Sequence, residues 1–437
     1  MKTITQLAML AVFLFAAETA IAANHYIRSG AAGASNGNDW TNAYTSLPST
    51  LVRGDTYYIA GGSYSGRTFN TPASGTSVIT IKGATIADHG IDTGWSNTYA
   101  VENTQATWTS GVTFNTSYWI FDGSVGPNWS KTKSQYGFKF NPVNYAVKVY
   151  NLSSAISDVK IAHITATAPT GDVEKFFLST DNSTKSVNNV TFSHCLVDGW
   201  SNAVWATSAG LLMNNWLIEH NVILNGYSSA ANHGEDINNN YGHLDNLTIR
   251  YNWFEGRSTG TGSIVVLNGP AGPYYIYGNV FKNMIGGDGI IAGIHYTLNG
   301  AIYNNTFDNV DNGYKNGAWI GHDVSANVYN NIIYNSIASI GANFTGKKDY
   351  NAYFSTTSTP TEANGQIGTG SPFVNELGND MRLSAASKAG TTFSAPYDID
   401  VVRNARGGDG AWDRGAFEFV GNNPVLVLSP PQNLRQQ

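Results

Sequence analysis

Apolar and polar residues alternate in short runs along most of this chain, and clusters of Gly, Asn and Ser separate the runs. Leu247–Arg250, Ser263–Leu267 and Tyr274–Tyr277 are examples. A period of two in β-branched and aromatic residues, bounded by turn formers, predicts short strands. The 3.6-residue period of an amphipathic helix is nearly absent beyond residue 22. Superposed on the alternation is a longer repeat, apolar-x-x-Asn-x-apolar. It occurs as IEHNVI around Asn221, IRYNWF around Asn252, IYGNVF around Asn279, IYNNTF around Asn305 and VYNNII around Asn331. The Asn positions are separated by 31, 27, 26 and 26 residues. Upstream, VTFSHCLV puts Cys195 in the Asn column and VKIAHITA puts Ile164 there.

A unit of about 26 residues holding only strands and turns cannot bury its apolar face alone, and stacking such units can. The sequence therefore predicts an all-β chain, a parallel β-helix (β-solenoid) of about ten coils over 78–354, rising about 4.8 Å per coil. Residues 23–77 would form an N-terminal cap, 355–420 a C-terminal closing segment and 421–437 a flexible tail marked by Pro430-Pro431. Asn tolerates left-handed backbone geometry, and its amide bonds turn backbone groups. Asn221, Asn252, Asn279, Asn305 and Asn331 are thus expected to stack as a structural ladder, with Cys195 a buried turn thiol in the same column. Exposed ends of such a rod invite self-association, which the caps would limit.

Residues 1–22 have the layout of a secretory signal peptide: Lys2, an apolar run from Leu7 to Ala17, and Ala20-Ile21-Ala22 as the small-x-small cleavage pattern. The run is too short to span a membrane, so a secreted or cell-surface protein with no membrane insertion of the mature chain is expected. One cysteine excludes a disulfide scaffold. A net charge of -6 with no Lys/Arg run disfavours nucleic acid. At 12% aromatic and 12% charged residues, the chain can bury a core.

The repeat resembles that of the secreted right-handed parallel β-helix proteins, the pectate-lyase-like superfamily. HYIRSGAAGASNGNDWTNAY and RGDTYYIAGGSYSG resemble the N-terminal segment of that group, and the stretch from Asp349 to Phe419, ending DRGAFEF, resembles its closing segment. The resemblance implies a right-handed coil and, for most enzymes on the scaffold, a polysaccharide bound in a groove along the rod. It does not carry a complete catalytic set. The polygalacturonase acids and the Arg-x-Pro-x-x-Arg stretch of pectate lyases are missing. GSIVVLNG lacks the Lys of the alginate and chondroitin lyases, although His233-Gly234-Glu235 is similar to their Asn-Gly-x-Glu turn.

Uronate lyases need a base and a cation facing the carboxylate, and hydrolases need two carboxyl groups. The segment NHGEDINNN, Asn232 to Asn240, gathers a His and two acids in the longest unit of a charge-poor chain. His233 is the candidate base, Glu235 the candidate acid, and Asp236 the candidate metal ligand, calcium being the cofactor considered. Neighbours on a strand point to opposite faces, so both acids cannot easily serve one site, and Glu235 is favoured because it follows the flexible Gly234; the competing reading is a polar turn. Arg250 is the candidate cation, or simply the surface partner of Glu219. Tyr277, Tyr303 and Tyr329 are expected to face outward as a sugar-binding platform, or as an ordinary tyrosine stack. His163, His194 and His220 form a further column, read as a turn stack.

Two functions follow. One is an exported lyase or hydrolase of an acidic or cell-wall polysaccharide; the other is a non-catalytic glycan-binding or structural rod. The first needs His233, Glu235 and a basic residue in one groove, and the second leaves them scattered.

Overall fold

The computed structural model describes residues 22–169, 175–181, 185–207, 212–226, 234–240, 243–257, 264–266, 272–285, 287, 289–310 and 318–421. The candidate signal peptide, His233 and the tail lie outside the described residues.

Each coil contributes one short strand to each of three parallel sheets. Sheet 1 has twelve strands, from Asn24–Ile27 to Lys348–Asp349; sheet 2 has twelve, from Gly62–Tyr64 to Gln366–Gly368. Sheet 3 has ten, from Thr68–Phe69 to Ser339–Ile340. This is a right-handed parallel β-helix. The N-terminal segment is already part of it, since Asn24–Ile27 pairs with Thr56–Ile59 at the start of sheet 1.

Alternation dictates the core. One inward column of sheet 1 runs in register through Ile81, Phe121, Ile161, Phe192, Ile218, Ile249, Ile276, Ile302 and Val328. All of these are buried, each worth about 1.5–3 kcal/mol of transfer free energy. On sheet 2, Phe254, Phe281 and Phe307 stack at 4.8 and 4.9 Å, the strand spacing itself.

The corner between sheets 1 and 2 carries the Asn ladder. The Asn252 amide donates to Asn279 Oδ1 at 3.0 Å and to the Ile218 carbonyl at 2.9 Å, while its backbone N–H also donates to Asn279 Oδ1. The pattern repeats from Asn221 through Asn279, Asn305 and Asn331. It extends one coil beyond the sequence repeat, to Asn351, where the Glu362 carboxylate accepts both Asn351 donors at 2.9 Å. At the other end the Cys195 N–H donates to Asn221 Oδ1. Cys195 is buried and its thiol is pushed well up by desolvation, so it is no nucleophile.

The expected cause of the Asn repeat needs one correction. The left-handed residue is the one before the ladder position: His163, His194, His220, Tyr251, Gly278, Asn304, Asn330 and Tyr350, with φ between 54° and 65°. The ladder Asn are selected for their amides, which satisfy buried backbone groups that the turn leaves open.

The closing segment folds back over the rod. A hairpin of Phe373–Asn375 and Asp380–Leu383 is antiparallel, and buried Arg414 donates to the carbonyls of Asn351, Asn364 and Ala389. Trp129, on the loop between Gly123 and Tyr136, reaches along the rod to bond the Tyr251 carbonyl at 2.7 Å and packs against Trp253 and Phe417.

Candidate functional site

The sequence-predicted residues fall on different faces. Arg250 and Glu219 are register partners on sheet 1, with Arg250 Nε 2.7 Å from Glu219 Oε2 and a guanidinium N–H 3.0 Å from the Tyr277 hydroxyl. Burial alone would lower the Arg250 pKa, but the Glu219 charge and the Tyr277 hydroxyl outweigh it and raise it. Arg250 is thus committed to Glu219, on a different sheet from Glu235.

The tyrosine column is not an open platform. Tyr277 is 2% exposed and meets Tyr397 edge-on at 4.8 Å. Tyr303 stacks on Phe393 at 4.3 Å and 4°, and Tyr329 packs against both Tyr303 and Phe393. The closing segment covers the column with its own rings, Phe393 and Tyr397.

Asp236 does not fit a calcium site. It is buried against the fully buried Arg257, whose Nε lies 3.0 Å from Asp236 Oδ1 and whose terminal nitrogens bond the same oxygen and the carbonyls of Gly234 and Ser201. A guanidinium already neutralises this carboxylate, and calcium requires six to eight oxygens. Among the described residues, the grouping close enough to hold a metal is Asp409, Asp413 and Glu418. Both Asp413 oxygens accept backbone N–H groups, from Ser387 and Phe419, and so do both Glu418 oxygens, from Gly407 and Asp413. These acids fasten the closing turn.

The His column is a turn stack, with ring centres 4.9 and 4.8 Å apart. His163 Nδ1 lies 2.7 Å from Asp122. Burial, then the neighbouring rings, pushes the His194 pKa far down, and burial takes His220 down to about 4.

Glu235 is different. Each strand entering sheet 3 bends so that two successive residues face the core: Ala146-Val147, Phe177-Leu178, Ala203-Val204 and Asp236-Ile237. The residues flanking each pair, three apart, then share one face. That geometry produces two parallel columns, in which Phe176, Asn202, Glu235, Ser179 and Asn238 are buried. One runs Tyr145, Phe176, Asn202, Glu235; the other runs Thr68, Thr113, Lys148, Ser179, Trp205, Asn238. The pairing of columns is visible in the contacts. Lys148 Nζ sits 3.9 Å from the Tyr145 ring centre, and Asn238 Nδ2 donates to Glu235 Oε2 at 2.8 Å. Between coils, Tyr145 and Phe176 are 5.3 Å apart and Phe176 meets Trp205 edge-on at 3.7 Å. Lys148 also pairs with Asp181 at 2.7 Å.

This strip joins the half-buried rings of Tyr145 and Trp205, the buried Phe176 ring, a cation, amides and two carboxylates, of which Glu235 is fully buried. Two of its polar atoms, Trp205 Nε1 and Asn238 Oδ1, have no hydrogen-bond partner among the described residues. Glu235 lies beside Asn238 in it; Lys148, Asp181 and Trp205 were missed. Only their register with the Glu235 strand could have found them, and coil lengths upstream of Cys195 are too irregular to give it.

No family model matches the chain, and no curated protein matches its sequence. Among solved structures, pectate lyase Pel9A is similar with a TM-score of 0.52 at 15% identity, over 91% of this chain and 96% of that one. XylC in complex with xylose has a TM-score of 0.40 at 10% identity, over 91% and 98%. The PL6-family alginate lyase AlyGC has 0.33 at 12%, over 77% and 53%. In fold, the chain is a right-handed parallel β-helix, similar to pectate lyase Pel9A.

Proposed function

We propose that this is an exported carbohydrate-active protein that takes an acidic or cell-wall polysaccharide along the outer face of sheet 3. The strip of Tyr145, Phe176 and Trp205 beside Lys148 carries the reading. Flat rings suit the CH faces of pyranoses, a Lys ammonium suits a sugar carboxylate, and the unpartnered Trp205 N–H and Asn238 carbonyl suit sugar hydroxyls. Residues 1–22 support export, and the polysaccharide-acting names among the structural neighbours accord with the substrate class. Cleavage would use Glu235, the buried carboxyl of this strip, with Lys148 or Asp181 as its partner in acid–base work.

One observation favours the second reading, a non-catalytic glycan-binding rod. Asp236 is sealed by Arg257, and Arg250 is held by Glu219 on sheet 1. Of the residues foreseen for catalysis, Arg250 is therefore on a different sheet from Glu235, and His233 lies outside the described residues.

The test is an activity and retention screen of the chain from Ala23 to Gln437 on pectate, alginate, glycosaminoglycans and xylans, with calcium and with chelator. Glu235→Gln and Trp205→Ala proteins run beside it. Ultraviolet-absorbing products lost in Glu235→Gln establish a lyase, and new reducing ends without absorbance a hydrolase. Retention without products, weakened by Trp205→Ala, leaves the binding rod. No retention of any polymer sinks both.

A further inference from the structure

A cavity of about 490 Å³ opens at the N-terminal end of this same face, within the range of small-molecule sites. Its walls come from three places. Ser46, Leu47 and Ser49 belong to the segment before the second strand of sheet 1; Ser65, Arg67 and Thr68 form the corner between sheets 2 and 3; Trp108 comes from the next strand of sheet 2. Thr68 is the first member of the column that continues through Lys148 to Asn238. The cavity therefore lies in line with the strip, two coils or about 10 Å from Lys148, and the segment around Ser46–Ser49 walls off the groove beyond it.

The lining has a definite chemistry. It is rich in hydroxyl groups, and none of the lining residues is acidic. Its one charge is the Arg67 guanidinium, which donates to the carbonyls of Pro48 and Ser49 at 2.7 and 2.9 Å and so keeps three of its five N–H donors. Trp108 is fully buried, yet its indole N–H has no partner among the described residues. A buried donor left unpaired is costly, and an acceptor on a ligand in this cavity would satisfy it. Oxygen-rich, anion-tolerant and cation-averse, the site fits a sugar that bears a carboxylate.

We infer that this cavity is a terminal subsite that binds the end residue of an acidic polysaccharide, a hexuronate, with Arg67 facing its carboxylate and the Trp108 N–H an oxygen of the ring substituents. The inference rests on the polysaccharide reading of sheet 3 for its biological meaning, but its chemistry is tested separately. A groove that ends in a wall receives chain ends, so the protein engages its polymer from a terminus.

Binding of galacturonate, glucuronate and guluronate, each against its neutral hexose, is measured by calorimetry on the chain from Ala23. At least one uronate binds 10-fold or more tightly than its neutral counterpart. Arg67→Gln abolishes that preference, and Trp108→Phe, which keeps the packing, weakens binding at least 3-fold. Ser65→Tyr, at an exposed lip position, blocks binding with no change in thermal unfolding, which covers the case in which Arg67→Gln loosens the Pro48–Ser49 wall. No uronate preference in the parent protein, or undiminished binding in Ser65→Tyr, overturns the inference. Polymer retention without uronate binding overturns the cavity alone. Uronate binding without polymer retention leaves the cavity standing and sinks the sheet 3 reading.

Discussion

Two columns of outward aromatic rings run along this rod, and they have opposite fates. On sheet 1, Tyr277, Tyr303 and Tyr329 lie under Phe393 and Tyr397 of the closing segment. On sheet 3, Tyr145 and Trp205 stay half-buried beside a lysine, with polar atoms unpaired. By sequence pattern alone the first looked the better sugar platform, being regular and purely aromatic. The comparison teaches that regularity marks a surface for the chain's own use. A strictly periodic apolar stripe is what a returning segment of the same chain can match, whereas a strip mixing rings, charge and amides satisfies itself poorly and leaves donors and acceptors for something else.

Several substitutions break or sharpen the contrast. The largest effect is expected at the bend beneath the sheet 3 strip. Arg257→Met leaves Asp236 buried and unpaired and should cost about 3–5 kcal/mol, read by urea unfolding; a loss under 1 kcal/mol would mean the pair does not hold the bend. Next is the covered column. Tyr303→Ala should cost about 2 kcal/mol or more by removing a ring packed on Tyr329, Phe393 and Tyr397, with polymer retention unchanged. Loss of retention there would move the platform back to sheet 1. The open strip should behave inversely: Trp205→Ala should weaken polymer retention about 10-fold, or about 1.4 kcal/mol, with a smaller change in unfolding.

Acidity should separate the two ends of the covered face with the smallest effect. Asp308, buried against Lys282 and Glu376, has its pKa raised from 3.8 to about 7, mainly by desolvation. Glu418 is likewise raised to about 7 by burial. Their folded forms hold protons that the unfolded chain releases, so their contribution to stability is full below pH 4 and is lost as pH rises through 7. His220 is shifted the other way, from 6.5 to about 4. Its contribution is full above pH 6.5 and is lost as pH falls toward 4. Hydrogen exchange corrected for intrinsic rates should therefore show, between pH 7.5 and 5, protection rising in the closing segment and falling at the His corner. Parallel changes at both would refute the assignment.

Much of the architecture was legible because it is one-dimensional. A 26-residue period with strand alternation leaves few ways to bury the apolar face, and the Asn column marked the corner residue by residue. Asn351 escaped because its coil is 20 residues long, and the covering of the tyrosines escaped because contacts such as Tyr303 with Phe393 join segments that share no repeat. The site was half legible. Neighbour alternation does not tell Glu235 from Asp236, since both are buried. Lys148 and Trp205 could not be placed beside Glu235, because the two-residue inward bend at Ala203-Val204 and Asp236-Ile237 puts residues three apart on one face, which a period-two rule assigns to opposite faces.

The Asn ladder has a direction. Besides bonding a carbonyl of the coil before it, every rung donates to the next rung toward the C-terminal end, and the row ends on a carboxylate that accepts and has nothing to pass on. Glu362 is in this sense a stop codon written in hydrogen bonds. A duplicated coil spliced in anywhere between Asn252 and Asn331 would find a donor behind it and an acceptor ahead, and the rod would lengthen by one turn. The same coil added after Glu362 would meet an anion with no N–H to offer. The end of the ladder is thus set at one residue.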